Sequence, residues 1–306
     1  MRVAFFGTPE PAAVALRAVL GSSHEVACVV TQADKPRGRG RKVTAAPVKQ
    51  VADEHGVPTL QPATPKEDTF AADLAAFEPG ALAVVAYGFL LPKAVLEVAP
   101  AMNVHFSLLP AYRGAAPVQR ALMDGVSETG VSVFLLEPTM DTGPVVAREA
   151  VAVGADDTTG EVLERLAPIG ARLLVRALDD LEAGTLQPQP QDDTGASLAP
   201  KIKPEDTVID WSRPAAAIQN QVRALSPRPG AATTAKGKRL LVWRARAVEA
   251  PSEPGVVLEA GDRLVVGTRE GGLELVEVQP EGKRPMSGKE YLRGYRPHVG
   301  HPVDGA

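Results

Sequence analysis

The strongest constraint on this chain is a rhythm. Short, continuous apolar runs (VAFF at 3–6, EVACVVT at 25–31, ALAVVAY at 81–87 and GVSVFLL at 130–136) recur between stretches of helical spacing until about residue 183. A run that is apolar at every position, rather than at alternate ones, is a strand covered on both faces. Such strands alternating with helices build a mostly parallel sheet with helices on both sides. Helical patterns fall at 12–20, 48–55, 70–77, 117–124 and 159–183, with a helical turn at 92–98. Further strands are expected from 57, at 102–106, and at 145–153 as the hairpin partner of 130–136.

The rhythm ends after Gly184. Pro188, Pro190, Pro200 and Pro204, with Gln, Asp and Lys between them, mark a semi-extended linker. A helical stretch at 214–225 follows. Short strands are then expected at 239–244, 255–259, 263–268 and 273–278, separated by turns such as Ala260-Gly261-Asp262 and Glu270-Gly271-Gly272. Strands of that length and spacing form a small barrel or sandwich, and small five-stranded barrels commonly bind oligonucleotides. The expected architecture is a Rossmann-like α/β domain at 1–187, a linker at 188–206 and an OB-like β-barrel domain at 207–306. A length of 306 residues suits two domains.

Composition removes other classes. Hydrophobic residues make up 44% and charged residues 23%, which excludes a disordered chain. The 28 Gly and 28 Pro follow no period, so the chain is not collagen-like. One cysteine, Cys28, allows neither an internal disulfide framework nor a cysteine-based zinc site, and its apolar strand makes it a core residue. No apolar run reaches 18 residues, so no membrane span is expected. The four apolar residues before Gly7-Thr8-Pro9 are too few for a secretory signal, and a cytoplasmic protein is expected. Charge is uneven: residues 1–200 hold 16 Lys and Arg against 24 Asp and Glu, a net of −8, and residues 201–306 hold 17 against 13, a net of +4. A basic second part suits a polyanionic partner, although two ordinary domains can differ this much by chance.

The first turn, Gly7-Thr8-Pro9-Glu10, lacks the glycine pattern of dinucleotide sites, which argues against NAD. More chemistry lies in Asn103-Val104-His105-Phe106-Ser107. Residues two apart share a strand face, so an amide, an imidazole and a hydroxyl line up at the end where open α/β sheets bind ligands. Asp141, after the strand at 130–136, stands before Thr142-Gly143. It reads either as a turn former or as a carboxylate that orients the histidine. Residues 35–42, KPRGRGRK, hold five cations in eight positions, either as a solvated loop or as an anion contact.

GTPEPA at 7–12, KPRGRGRK at 35–42, VVAYGFLLP at 84–92, NVHFSLLPAYRGAAPVQ at 103–119, ETGVSVFLLEPTMDTGP at 128–144, KIKPEDTVIDW at 201–211 and QPEGKRPMSG at 279–288 together resemble the methionyl-tRNA formyltransferases. The Asn-x-His…Asp pattern and SLLP are shared with the wider 10-formyltetrahydrofolate-dependent formyltransferases, including glycinamide ribonucleotide and sugar-nucleotide enzymes. The resemblance implies formyl transfer from 10-formyltetrahydrofolate to the α-amino group of methionyl initiator tRNA, with no metal. It implies Asn103, His105 and Asp141 as the catalytic residues. Folate would be held by Ser107, Leu108, Leu109 and Pro110 and by the backbone around Tyr87, Gly88 and Leu90. The basic loop would enter the tRNA acceptor end through Arg37, Arg39, Arg41 and Lys42, with Arg39 deepest. Lys201 and Lys203, then Lys236, Lys238, Arg239, Arg244 and Arg246, would meet phosphates. In that chemistry Asn103 and a protonated His105 donate to the oxyanion, and Asp141 supports the imidazolium. Pro11 stands where the family often has an aromatic residue, and Ala111-Tyr112 where Arg-Trp is common. A monomer is expected, since a tRNA needs access to both domains. Two other readings use part of the same residues: a sugar-nucleotide formyltransferase, which would need neither the basic loop nor a basic barrel, and a non-catalytic RNA-binding protein, which would leave Asn103, His105 and Asp141 idle.

Overall fold

The computed structural model describes residues 1–37, 42–67 and 69–305, with backbone only for 35–37, 42, 43 and 305. The first 182 residues hold β1 (Arg2–Gly7), α1 (Glu10–Leu20), β2 (Glu25–Val30), a hairpin of β3 (Lys35–Arg37) and β4 (Lys42–Thr44), α2 (Pro47–Glu54), β5 (Thr59–Leu60), α3 (Phe70–Ala75), β6 (Ala81–Val85), α4 (Lys93–Leu96), β7 (Ala101–His105), α5 (Pro117–Met123), β8 (Glu128–Leu135), β9 (Val145–Ala152) and α6 (Thr159–Glu182). Their main sheet has the order β5-β2-β1-β6-β7-β8-β9. The first five in that order are parallel, and β8 and β9 join antiparallel at one edge. β6 is buried at every position and β1 at all but its first, as their unbroken apolar runs require. β9, at the edge, has no fully buried position.

The chain moves from β1 outward to β2 and β5, then returns to β6 on the other side of β1. That reversal opens a crevice at the carboxyl ends of β1 and β6, where sheets of this kind bind ligands. The loops after β1, β2 and β6 are tied together. Gln32 Nε2 donates to the Tyr87 carbonyl at 2.8 Å, and Thr8 Oγ1 donates to the same oxygen at 3.4 Å. Gly7 makes the close turn possible, because a Cβ there would lie 2.6 Å from Ala12 Cβ and 2.9 Å from the Val85 carbonyl. Pro11 falls in the first turn of α1, where a missing N–H breaks no helical bond. Cys28 is fully buried, and burial pushes its thiol up to about 12, so it is inert core.

The stretch expected as a linker is extended but not free. Val145 and Gln189 exchange backbone hydrogen bonds at 2.8 Å each way. Arg113 N donates to Ser197 O at 2.8 Å, and Ala199 N to Arg113 O at 2.7 Å. The first compact unit accordingly extends past residue 187 to Ala199, and the second begins at Pro200 rather than 207 and takes in 118–127 and 153–162. The prolines at 188 and 190 remove donors from a sheet ladder, but they leave the Gln189 and Ser197-to-Ala199 backbone able to pair.

In the second unit, α7 (Ala215–Ala224) precedes β10 (Ala231–Ala235), β11 (Lys238–Val248), β12 (Val257–Ala260), β13 (Leu264–Gly267), β14 (Gly272–Pro280), β15 (Met286–Ser287), α8 (Gly288–Tyr295) and β16 (Val303–Gly305). The sheet runs β12-β13-β14-β11-β10-β16, with β15 beside β14. Its two ends meet. Val257 N donates to His301 O at 2.9 Å and Gly300 N to Val257 O at 2.9 Å, and Val256 bridges Pro302, which closes the barrel. Strand β10, Ala-Ala-Thr-Thr-Ala, escaped the sequence reading because it is weakly apolar. It pairs with β11 through a turn at Lys236-Gly237, both at positive φ (51° and 71°), the conformation of a tight two-residue hairpin. Ile209, Trp211, Ile218, Leu240, Val266 and Leu275 are among the residues that fill this unit's core. Among the described residues no helix is long and apolar enough to cross a membrane.

Candidate active site

A cavity of about 400 Å³ opens at the carboxyl ends of β6 and β7. That volume is within the range of sites for small organic ligands. One wall is residues 86–91, the floor includes Asn103 to Phe106, and the far wall is the β8–β9 loop from Leu136 to Asp141. The sheet places Asn103 and His105 on one face of β7, as strand periodicity requires. The Asn103 side chain is half-buried and makes no hydrogen bond among the described residues, so its N–H groups are available to a ligand.

His105 is 5% exposed. Its Nε2 stands 2.8 Å from the Tyr112 carbonyl, an oxygen that can only accept, so Nε2 carries a proton. Nδ1 faces Asp141 Oδ2 at 3.7 Å, too far for a direct hydrogen bond. Burial lowers the His105 pKa below the usual imidazole value, against the opposing pull of Asp141 and of the Tyr112 carbonyl. With Nε2 carrying a proton, Nδ1 is the nitrogen turned toward Asp141, and the depressed pKa favours the form in which it is unprotonated. Desolvation thus opposes the cation, and the Asp141 carboxylate and the Tyr112 carbonyl favour it.

Asp141 comes from a loop. Its Oδ2 accepts from Gly114 N at 2.7 Å. Its φ is 54°, a left-handed conformation uncommon outside glycine. Gly143 follows, and a Cβ there would lie 1.8 Å from the Leu135 carbonyl, so no other residue fits this loop path.

The structure brings Asn103, His105, Asp141, Tyr87, Gly88 and Leu90 around the same cavity. Ser107, Leu108, Leu109 and Pro110 do not line it. Ser107 is fully buried and its Oγ donates to Ala111 O at 2.6 Å; Ser132 Oγ donates to Ser107 O at 2.8 Å and accepts from Leu109 N at 3.0 Å. Their bonds shape the loop that carries the Tyr112 carbonyl and the Gly114 amide to His105 and Asp141. Those two backbone groups were missed in the sequence because a backbone contact has no residue signature; the departure Ala111-Tyr112 is compatible with the site for the same reason. Phe89, Leu90 and Met140 expose apolar surface at the cavity rim.

Of the cations in the basic loop, Arg39 and Arg41 lie outside the described residues; Arg37 and Lys42 face each other across the β3–β4 ladder, described by backbone alone. At the base of the hairpin, Asp34 is held by Lys49 Nζ at 2.8 Å and by Gln61 Nε2 at 3.0 Å, and the Lys49 bond keeps its carboxyl below the usual range. In the second unit Lys201, Lys203, Lys236, Lys238 and Arg239 are exposed. Lys203 Nζ stands 3.5 Å from Glu205, and Lys236 Nζ caps the Tyr295 carbonyl at 3.1 Å. Arg244 and Arg246 are not free cations: Arg244 Nη2 pairs with Glu161 at 2.5 Å, and Arg246 faces Asp156 at 3.9 Å. Among the described residues no three His, Cys, Asp or Glu side chains gather as a metal site.

Residues 1–178 match the family model for formyl transferase, and residues 201–296 the model for the formyl transferase C-terminal domain. The chain is 47% identical over 304 residues to the methionyl-tRNA formyltransferase of Parafrankia sp. (strain EAN1pec), covering 97% of this chain and 98% of that one. It is 47% identical over 302 residues to the methionyl-tRNA formyltransferase of Streptomyces griseus subsp. griseus, covering 97% of each. In fold it is similar to HypX from Aquifex aeolicus, solved in complex with tetrahydrofolic acid, with a TM-score of 0.65 at 18% identity over 98% of this chain and 48% of that chain. An amide, a histidine and an aspartate gathered at the end of a parallel sheet, followed by a closed barrel, thus coincide with both family models along one chain, and the protein belongs to the formyl transferase family, among its methionyl-tRNA formyltransferases.

Proposed function

We propose that this protein transfers the formyl group of 10-formyltetrahydrofolate to the α-amino group of methionyl initiator tRNA, for translation initiation, with Asn103, His105 and Asp141 as its catalytic residues. The observation that carries this reading is that the unpartnered Asn103 amide, the His105 imidazole and the Asp141 carboxylate open on one cavity with an apolar rim. In this reading the reduced folate occupies that cavity, with its ring system against residues 86–91 and its formyl group toward β7.

Asn103 donates N–H to the formyl oxygen, which gains charge as the attacking amine forms the new C–N bond. His105 Nδ1 takes the proton that the amine sheds. The imidazolium so formed lies between two acceptors, the Tyr112 carbonyl and the Asp141 carboxylate, and is stabilised by both. When the old C–N bond breaks, His105 returns that proton to the folate N10. The enzyme is left neutral at His105 and tetrahydrofolate leaves. None of these steps calls for a metal or a covalent enzyme intermediate.

The same reading assigns the tRNA to the basic loop, through Arg37, Arg39, Arg41 and Lys42, and to Lys201, Lys203, Lys238 and Arg239, through phosphate contacts. We place the protein in the cytoplasm, without a membrane partner and as a monomer, where charged initiator tRNA and reduced folate meet. The test is formyl transfer from 10-formyltetrahydrofolate to charged initiator tRNA, free methionine and an amino-sugar nucleotide, run side by side. Transfer to methionyl-tRNA alone is expected; preferential transfer to the sugar nucleotide would overturn the proposal.

A further inference from the structure

We propose that Gln191, held by Arg113, is the positioning residue that sets the Asp141 carboxylate against His105. The inference rests on the reading of Asp141 as the partner of His105.

Within the loop that carries Asp141, Thr139 and Thr142 share a hydrogen bond and Leu135 N donates to Pro144 O at 3.0 Å across its base, but none of these bonds holds Asp141 itself. Asp141 lies at a positive φ of 54°, a conformation that persists only where surrounding contacts over-determine it. Two of its carbonyls, those of Asp141 and Gly143, converge on one group: Gln191 Nε2 donates to them at 2.9 and 2.8 Å. The other end of the same amide faces Arg113. Gln191 Oε1 accepts from Arg113 Nε at 3.1 Å and from Nη2 at 2.8 Å. A guanidinium has only donors, so it dictates that the amide oxygen faces it and the NH₂ faces the loop. The orientation of the amide follows from chemistry, and no flipped arrangement satisfies all four contacts.

Arg113 is itself tied to both catalytic groups through its neighbours. The residue before it supplies the carbonyl that holds His105 Nε2, and the residue after it supplies the N–H that holds Asp141 Oδ2. Arg113 Nη1 is anchored on Asp193 at 3.0 Å. The path from His105 through residues 112–114 to Asp141 is therefore doubled by a second path, from Arg113 through Gln191 to the Asp141 backbone. Gln191 reaches this place because Gln189 pairs with Val145 at the start of β9, which delivers the chain beside the β8–β9 loop. It lies 50 residues from Asp141, in a stretch that reads as a tether between domains.

Gln191→Glu is the discriminating change. It preserves size and strengthens attraction to Arg113, but it presents oxygen acceptors to the two loop carbonyls. A role confined to gluing the segment 189–199 onto Arg113 predicts little loss. A positioning role predicts a fall in kcat of about 10- to 100-fold, the scale of an ~1 Å misplacement at a reacting centre, with the KM for 10-formyltetrahydrofolate nearly unchanged. Because Gln191 acts through Asp141, the double variant Asp141→Asn/Gln191→Glu should be no slower than Asp141→Asn alone. If Gln191→Glu does not fold, Arg113→Lys, which keeps the charge and loses the paired donors, is expected to lower kcat in the same way with KM unchanged. Wild-type kcat in a folded Gln191→Glu protein beside a slow Asp141→Asn protein overturns this inference and leaves the site reading standing. So does multiplicative slowing in the double variant. Wild-type kcat in Asp141→Asn instead overturns the site reading itself.

Discussion

The two halves of the active site are held in different ways. Asn103 and His105 ride on β7, which is paired on both sides: Asn103 lies opposite Val84 of β6 and Phe134 of β8, and His105 opposite Ser132. The sheet ladder that folds the domain also aims their side chains. Asp141 rides on a loop, and its place depends on Gly114, 27 residues away, and on Gln191, 50 residues away. A side chain on a central strand is positioned by the fold as a whole; one on a loop is positioned by a few hydrogen bonds that a single substitution removes.

The largest expected effect lies on the strand-borne half. Asn103→Ala and His105→Ala should each lower kcat by about 10²–10³-fold, the cost of losing a preorganised group at the reacting oxygen or proton, with little change in the KM for folate. Either variant turning over near the wild-type rate, while folded, would remove that residue from the chemistry.

The loop-borne half should fail without any catalytic side chain being touched. Gly143→Ala places a methyl group 1.8 Å from the Leu135 carbonyl, so the loop must move and carry Asp141 with it. A fall in kcat approaching ~10² is expected from such a displacement. The same steric change at a loop whose position is irrelevant would leave kcat intact, and steady-state kinetics on the folded variant decides between them.

A smaller effect concerns pH. Burial lowers the His105 pKa from 6.5, and Asp141 partly restores it. With neutral His105 as the proton acceptor, kcat should fall on the acid side with a midpoint below 6.5, and Asp141→Asn should move that midpoint to lower pH, because the raising charge is gone. For stability the unfolded chain binds the proton more tightly than the folded one. The contribution of His105 is therefore complete above about pH 6.5 and is lost as pH falls from there toward the folded pKa. A midpoint that rises in Asp141→Asn would contradict the assignment of charges.

The smallest effects separate the cations of the second unit. Lys238 and Arg239 are exposed without a carboxylate partner among the described residues, whereas Arg244 is paired with Glu161. Replacing Lys238 or Arg239 by Ala should reduce the salt slope of tRNA binding by about 0.7–0.9 if each meets one phosphate. Arg244→Ala should change it less. Equal slopes for all three would show that the ion pair does not hold Arg244 back from the nucleic acid.

Consecutive residues alone determined a good deal of this protein. Unbroken apolar runs marked β1, β2 and β6 as central strands, and a period of two placed Asn103 and His105 on one face, because burial and side-chain direction along a strand depend on neighbours in sequence. The resemblance to known formyltransferases named Asp141. Tertiary structure decided what no local pattern encodes: that Asp141 faces His105 at 3.7 Å, that burial lowers the pKa of the histidine, and that Ser107 and Leu109 are bound into their loop through Ala111 and Ser132. It also made a strand of the weakly apolar residues 231–235, whose place comes from the ladder to β11 and β16, and closed the barrel through residues 256–257 and 300–302. The clearest case is Gln191. Its prolines and polar neighbours spell an extended chain, and extended it is; that this chain reaches back to hold the carbonyls of Asp141 and Gly143 is set by pairing energies between segments far apart in sequence, which exist only once the sheet has brought them together.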